Sequence, residues 1–438
     1  MSQQSFPRAG HPDNASGALG QPTPLAKAVS STERFLTRQP VLDSHDQVLG
    51  FELKRRDRTP VEVLPGAQSL QQAQDEHLII SAIDLDFQRA LGNKLTFLGI
   101  APETLLNPLI EQLPKDKVVL ALHAGSPLDA DMVSRAETLA KLGFAIATDE
   151  TADTAATSPL LALSRYVRLD LTRFDAITLA DRVSQLKHLP APRPLIVATQ
   201  VDTPEVFESC TQLGFTLFQG YYFTQIEPSK ASRMDANVMR VMDLLNKVLE
   251  RAEYDVLEET FKLDPALSYK LLRYINSPAI GLRSTIKSIS HALTLLGYDQ
   301  TYRWLTLLLF SSVKATARNE VLLRNALARA HFTESLGREH IEPAMCGGLF
   351  ITGMFSLLDA LLNIPMTQTL ANLNLPEAVN NALVHGDGPY APYLKLAIAC
   401  EQFDQDSIAA LAEDTGLQAE TINLAHVNAL IWSEGIDV

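Results

Sequence analysis

From about Arg34 to Pro228 the sequence repeats one unit, a short apolar run followed by an amphipathic stretch, and few folds can absorb that repeat. The runs are "LTFLGI" (95–100), "VVLALH" (118–123), "GFAIAT" (143–148), "YVRLDL" (166–171), "PLIVAT" (194–199) and "TLFQGYYF" (216–223). Between them lie segments of helical period such as "DADMVSRAETLAKL" and "TPEVFESCTQL". Strand and helix alternating at roughly 25-residue intervals suggest parallel strands joined by crossover helices. Ahead of them, "RFLTRQPVL" and "QVLGFEL" flank a polar turn at Asp43 to Asp46 and read as an opening hairpin. The units are numerous enough to close an α/β barrel of the TIM type.

After Pro228 the period changes. "NVMRVMDLLNKVLERA" sets Val238, Val241, Met242, Leu245, Val248 and Leu249 on one helical stripe. "DPALSYKLLRYIN" supplies Asp264 as N-cap and Pro265 in the first turn, with Leu267, Leu271, Leu272 and Ile275 on its apolar face. "SISHALTLLG" predicts a short helix that stops at Gly297. The remainder stays helical to the C-terminus. The expected division is a tail over 1–32, a barrel over 33–228 and an all-α domain over 229–438, with a hinge near 227–233.

A chain of 438 residues is too long for one ordinary core, which agrees with two domains. The tail is rich in Pro, Gly, Ser and Gln and has no basic flank leading into an apolar core, so it reads as disordered rather than as a secretory signal. Tight apolar runs such as "WLTLLLF" (304–310) are too short to span a bilayer, and the expected location is cytoplasmic. Cys210, Cys346 and Cys400 are far apart, with no zinc-ligand spacing, and read as reduced, buried thiols. A net charge of −14 argues against general binding to a phosphate backbone.

In such a barrel, chemistry gathers at the C-terminal ends of the strands. Those ends read Glu52, Gly99, Ala121, Thr148 with Asp149, Arg168 with Asp170, Thr199, and Gln219. This is a poor inventory for two-metal chemistry, which needs converging carboxylates.

Both halves resemble the bacterial EAL–HDOD signalling proteins, the YuxH-like family. In the second half the resemblance rests on "DPALSYKLLRYINSPAIGLRSTIKSISHALTLLGYDQTYRWLTL" and on "GGLFITGMFSLLDALLNIPM". In the first half "FLTRQPVLDSHDQVLGFELKRR" resembles the opening of an EAL domain, the barrel that hydrolyses cyclic di-GMP. The resemblance places the defining acid on Glu52 and a phosphate-binding arginine on Arg56, with Leu53 and Lys54 where Ala and Leu would stand. The QGY strand places a glutamine on Gln219.

Elsewhere the pattern is lost. The resemblance assigns a metal-binding asparagine to Gly99, a ligand glutamate to Ala121, and paired aspartates to Thr148 and Asp149, with Glu150 and Thr151 replacing Phe-Gly. A water-orienting lysine becomes Arg168, and two more acids appear as Thr199 and Asp202. Of five first metal-ligand positions only Glu52 and Asp149 remain acidic, and Arg168 stays protonated where a titratable amine would be. The expectation is a degenerate barrel with no catalytic residues, no metal and no cofactor. Glu52, Arg56, Asp149, Arg168 and Gln219 remain as a residual ligand-binding set.

The resemblance of the second half implies kinship with metal-dependent phosphohydrolases, which use a His-Asp dyad. The one adjacent His-Asp pair is His45–Asp46, in the hairpin turn, and His291, His331, His340 and His385 form no such motif. Two stripped domains imply a non-catalytic scaffold, with signalling proteins as partners through the HDOD domain and control of motility, attachment or biofilm. A second reading keeps cyclic di-GMP binding without hydrolysis. A third, an active phosphodiesterase, requires the strand-end alignment to be displaced, with Glu150, Asp170 and Asp202 stepping in; Glu150 is expected to point away from Asp149's side. "SISHALTLLGYDQTYRWL" has a helix-turn-helix cadence but few basic residues, so neither nucleic acid nor membrane is an expected partner. The apolar stretch from Trp304 to Phe310 and "GGLFITGMFSLLDALL" read as core.

Overall fold

The computed structural model of the chain describes residues 35–56, 70–84, 94–123, 128–150, 159–227, 234–277, 280, 285–313 and 316–436. The tail expected over 1–32, the side chains of the basic run 54–58, Thr151 and most of the expected hinge lie outside these residues.

Eight strands close a barrel in chain order: β1 (Phe35–Asp43), β2 (Val48–Arg56), β3 (Leu95–Ile100), β4 (Val118–Leu122), β5 (Ala145–Glu150), β6 (Tyr166–Asp170), β7 (Leu195–Thr199) and β8 (Leu217–Gln219). Strand β1 runs antiparallel to both neighbours, and every other neighbouring pair is parallel. The reversal is local chemistry. The Asp43 carboxylate accepts from the backbone N–H groups of His45 (2.8 Å) and Gln47 (2.9 Å), and Asp46 takes a left-handed φ of 59°. Helices α1 (Leu70–Asp84), α2 (Ala130–Leu142), α3 (Ala176–Lys187) and α4 (Pro204–Leu213) follow β2, β4, β6 and β7. Three of them are capped as their sequences demand, by Asp129, Asp175 and Thr203.

The period of two along each strand sorts the side chains into two cores. Inside the barrel, Val41, Phe97, Val119, Ala121, Ala147, Tyr166, Val197 and Leu217 pack together, with the Phe97 and Tyr166 rings edge to face at 5.2 Å. Outside, Leu53, Leu98, Ile100, Leu120, Leu122 and Ile146 pack against Leu78, Ile79, Ala136 and Leu139 of α1 and α2. The last strand is shorter than its apolar run suggests. A Cβ on Gly220 would lie 1.9 Å from the Val201 carbonyl oxygen, so backbone meets backbone there. The chain leaves the sheet after Gln219 and enters a 3₁₀ turn at Tyr222–Thr224.

The rest is helical: α5 (Ala236–Leu249), α6 (Tyr254–Lys262), α7 (Pro265–Ile275), α8 (Ile289–Ser312), α9 (Ala317–Gly337), α10 (Cys346–Phe355), α11 (Leu358–Leu362), α12 (Met366–Leu370), α13 (Glu377–Val384), α14 (Ala391–Gln402), α15 (Gln405–Thr415) and α16 (Ala419–Glu434). Two compact units result, one containing Leu244–Trp304 and the other Glu33–Asp243 with Leu305–Val438. In the smaller unit Asp264 caps α7 by accepting from the N–H groups of Ala266 and Leu267, with Pro265 behind it. Trp304 stacks on Tyr274 at 5.8 Å. Helix α8 breaks at Gly297 (φ 69°, ψ 178°), where the sequence predicts a stop, and helix resumes at once.

In the larger unit the helices after Leu305 pack on the barrel. Arg38 of β1 reaches Glu434 of α16 at 2.8 Å, and the Tyr221 hydroxyl donates to the Glu401 carbonyl of α14. Glu401 is itself held by Arg329 of α9, at 2.7 Å. Gly353 of α10 crosses α9 so closely that a Cβ would lie 2.5 Å from the Ala330 Cα. The stretch "GGLFITGMFSLLDALL" is core, as expected, from Leu349 to Phe355 and from Leu357 to Leu362 apart from Asp359.

Candidate functional site

Inward residues around one mouth of the barrel line a cavity of about 250 Å³: Gln39, Glu52, His123, Asp149, Arg168 and Gln219 carry its chemistry. Register explains the gathering. Gln39 faces Glu52 across β1–β2, Asp149 faces Arg168 across β5–β6, and Gln219 faces Thr199 and Val41.

Arg168 is the centre of the arrangement. Its Nη1 donates to Glu52 Oε1 at 2.7 Å, and its Nε lies 2.7 Å from Asp149 Oδ1. The second contact is an ion pair without the alignment of a hydrogen bond. Burial works against the guanidinium's charge, but the carboxylates of Asp149 and Glu52 outweigh it and raise its pKa further above the ordinary value. The other Glu52 oxygen accepts from Gln219 Nε2, which also donates to Gln39 Oε1 at 2.9 Å. Both oxygens of the buried Glu52 are therefore occupied by the protein itself.

His123 completes the rim. Its Nδ1 is 3.2 Å from Asp149 Oδ2, and that hydrogen bond, against the opposing effect of burial, raises the imidazole pKa. The ring lies over Gly99, where a Cβ would come within 2.7 Å of its Cε1. A side chain at 99 and the present His123 ring exclude each other. His123 was absent from the residues singled out in the sequence, although it stands two residues after the inward Ala121 at the end of β4, a phase that places it on the inner face. Gln39, two residues before Val41, carries the same signal.

The neighbouring residues divide by face. Thr148 points outward, 3.1 Å from the Ser164 hydroxyl, because it neighbours the inward Asp149. Glu150 also points away, as expected, and pairs with Arg182 of α3; burial pushes its pKa up against that pairing. Asp170 lines the cavity but is engaged by the following turn, accepting from Thr172 N–H at 3.0 Å and pairing with Arg173 at 3.2 Å. Asp202 accepts from the Tyr221 N–H. Arg56 ends β2, and its side chain lies outside the described residues.

The resemblance implies a site holding two divalent cations, and the residues present do not fit one. The two remaining carboxylates are bridged by a fixed guanidinium, and Gly99, Ala121 and Thr199 supply no acid.

A family model for the HDOD domain matches residues 233–372. YuxH, an uncharacterized protein of Bacillus subtilis, is 26% identical over 410 residues, covering 92% of this chain and 98% of its own. CdgJ, a cyclic di-GMP phosphodiesterase of Vibrio cholerae, is 26% identical over 405 residues, covering 92% of this chain and 93% of its own. Among solved structures, a standalone EAL protein from Vibrio cholerae in its c-di-GMP-bound form aligns with 45% of this chain and 93% of its own, at 18% identity and a TM-score of 0.37. Klebsiella pneumoniae BlrP1 in a manganese and cy-diGMP complex aligns with 44% of this chain and 56% of its own, at 19% identity and a TM-score of 0.37. The chain joins an EAL-like N-terminal barrel to an HDOD domain and is homologous over most of its length to YuxH and CdgJ.

Proposed function

We propose that this chain is a non-catalytic signalling protein of the cyclic di-GMP network, acting on motility, attachment or biofilm through contacts made by its helical half. The placement in that network rests on homology to CdgJ, whose own activity is a cyclic di-GMP phosphodiesterase. The observation that carries the loss of catalysis is Arg168, within 2.7 Å of both carboxylates that a metal would need. Phosphodiester hydrolysis at a two-metal site requires those carboxylates to hold cations and to generate hydroxide near neutral pH. Here they neutralise an arginine instead. In this reading the functional division follows 33–228 and 229–438, the protein works in the cytoplasm, and signalling proteins dock on the second part. Among the described residues no helix is long and apolar enough to cross a membrane.

The cavity's size supports the same reading against the receptor alternative. At about 250 Å³ it falls below the roughly 300–1,000 Å³ typical of small-molecule sites. Titration calorimetry with cyclic di-GMP, with and without Mg²⁺, and turnover measured on the same samples test this. Neither heat nor turnover is expected, and a pull-down through the helical half then follows. Heat without turnover, abolished by Arg56→Ala, makes the chain a receptor. Turnover overturns the proposal.

A further inference from the structure

We infer that the exposed face of α7, with Leu263 at its head and Lys287 beside its end, docks an acidic, amphipathic segment of a partner protein. The inference rests on the reading that the helical half works by contact, and it names the surface and the chemistry of what binds there.

From Lys262 to Tyr298 the sequence holds Lys262, Lys270, Arg273, Arg283 and Lys287 and a single acid, Asp264, in a chain whose net charge is −14. That acid is already engaged: it is buried and caps α7 by accepting from the Ala266 and Leu267 N–H groups. Leu267, Leu271 and Ile275 are buried on one side of α7, so helical phase sends Ala266, Tyr269 and Arg273 the other way, with Lys270 on the flank. Tyr269 is 65% exposed, and Leu263, at the junction of α6 and α7, is 80% exposed, so neither serves the core. Asn276 ties down the far end. Its side chain accepts from the Ile286 N–H at 2.7 Å and donates to the Ile286 carbonyl at 2.8 Å, which brings the exposed Lys287 next to the last turn of α7. Glu258 takes Lys262 at 2.8 Å, whereas Lys270, Arg273 and Lys287 form no ion pair among the described residues. Unpaired cations around an exposed leucine and tyrosine match a segment that offers carboxylates and apolar side chains together. A phosphate backbone would use the cations and give Leu263 nothing to bury against. A membrane surface would need a wider apolar face than two side chains.

The test uses the full-length chain and a short labelled helical peptide of leucine and glutamate, with its leucines on one face, followed by fluorescence anisotropy. The peptide should bind, and a version with glutamine for every glutamate should bind at least about tenfold more weakly, as should the original peptide in high salt. Lys270→Glu combined with Arg273→Glu should weaken binding by at least about tenfold, and Tyr269→Ala by about threefold or more. Lys141→Glu, an exposed change on α2, should leave it unaltered. Leu263→Ser, which leaves every residue of α7 in place, should act as Tyr269→Ala does and carries the test if the double variant loses its fold. Duplex DNA and vesicles of phosphatidylcholine with phosphatidylserine are titrated beside the peptide. Tighter binding of either one than of the peptide, peptide binding that neither the double variant nor Leu263→Ser weakens, or no peptide binding at all would each overturn the inference. Turnover of cyclic di-GMP would instead overturn the non-catalytic reading, whatever the peptide does, so the two fail separately.

Discussion

Replacing Glu52 by glutamine changes almost no volume and removes one charge, so its cost isolates the electrostatics of the barrel mouth. The Glu52 carboxylate accepts from Arg168 on one oxygen and from Gln219 on the other. A carboxamide has one acceptor and one donor end. With its oxygen toward Arg168, its NH₂ meets the NH₂ of Gln219, which must turn away and give up Gln39. Breaking a buried ion pair outright costs about 3–5 kcal/mol, but Asp149 still faces Arg168, so the electrostatic part should be about 2 kcal/mol. A misdirected hydrogen bond adds about 1 kcal/mol, for a total near 3 kcal/mol. The chain has two tryptophans, and Trp432 lies in the larger unit. In a Trp304→Phe background, urea unfolding followed by Trp432 fluorescence reads that unit. A cycle with Arg168→Met should give a coupling of about 2 kcal/mol, because each change removes part of the same pair. A loss below about 0.5 kcal/mol, or strict additivity, would mean that solvent screens the pair and that Arg168 is not the centre of the site.

Other consequences can be measured in the same way. His123 has a raised pKa in the fold through Asp149 on β5 and Glu52 on β2, opposed by Arg168 on β6. Its contribution is therefore complete below the ordinary histidine range near pH 6.5 and is lost as pH rises through the higher folded value; with the ring 43% exposed it should amount to about 0.5 kcal/mol. His123→Gln should flatten that decline between about pH 6 and 8 in the Trp432 assay. Gly353→Ala places a Cβ 2.5 Å from the Ala330 Cα, a backbone atom that cannot swing aside, and should lower the stability of the larger unit by about 1–3 kcal/mol in urea. Arg38→Met removes the 2.8 Å pair with Glu434 and should speed hydrogen exchange across α16 by about tenfold, leaving α2 unchanged.

Much of the barrel was legible because its signals are local. The strand-and-helix repeat predicted the closed sheet, Asp264 and Pro265 predicted the start of α7, and Gly297 predicted the break in α8. Four candidate residues, Glu52, Asp149, Arg168 and Gln219, do share one cavity. What the sequence did not disclose is how they use one another. Reading Arg168 as a lysine replacement says nothing of its reach to a carboxylate 116 positions earlier. Thr148 entered the strand-end inventory beside Asp149, although adjacent residues on a strand cannot both face inward. The sequence does not mark His123, since an imidazole closing an apolar run looks like the edge of a core; the missing Cβ of Gly99 leaves its ring a place.

The least legible feature is also the one that joins the pocket to the helices. Strand β1 presents Gln39 to the cavity and Arg38, the residue before it, to α16. At the end of β8, Gln219 faces the cavity while Tyr221, two residues on, donates to the α14 carbonyl of Glu401. Gln39 and Gln219 are themselves hydrogen-bonded. Two short segments thus each touch the pocket with one side chain and the C-terminal helices with another. Because successive side chains on a strand point to opposite faces, Gln39 and Arg38 turn to the pocket and to α16 from one stretch of backbone. For a protein proposed to work by contact rather than by turnover, those paired contacts give the barrel a physical reason to keep its polar mouth.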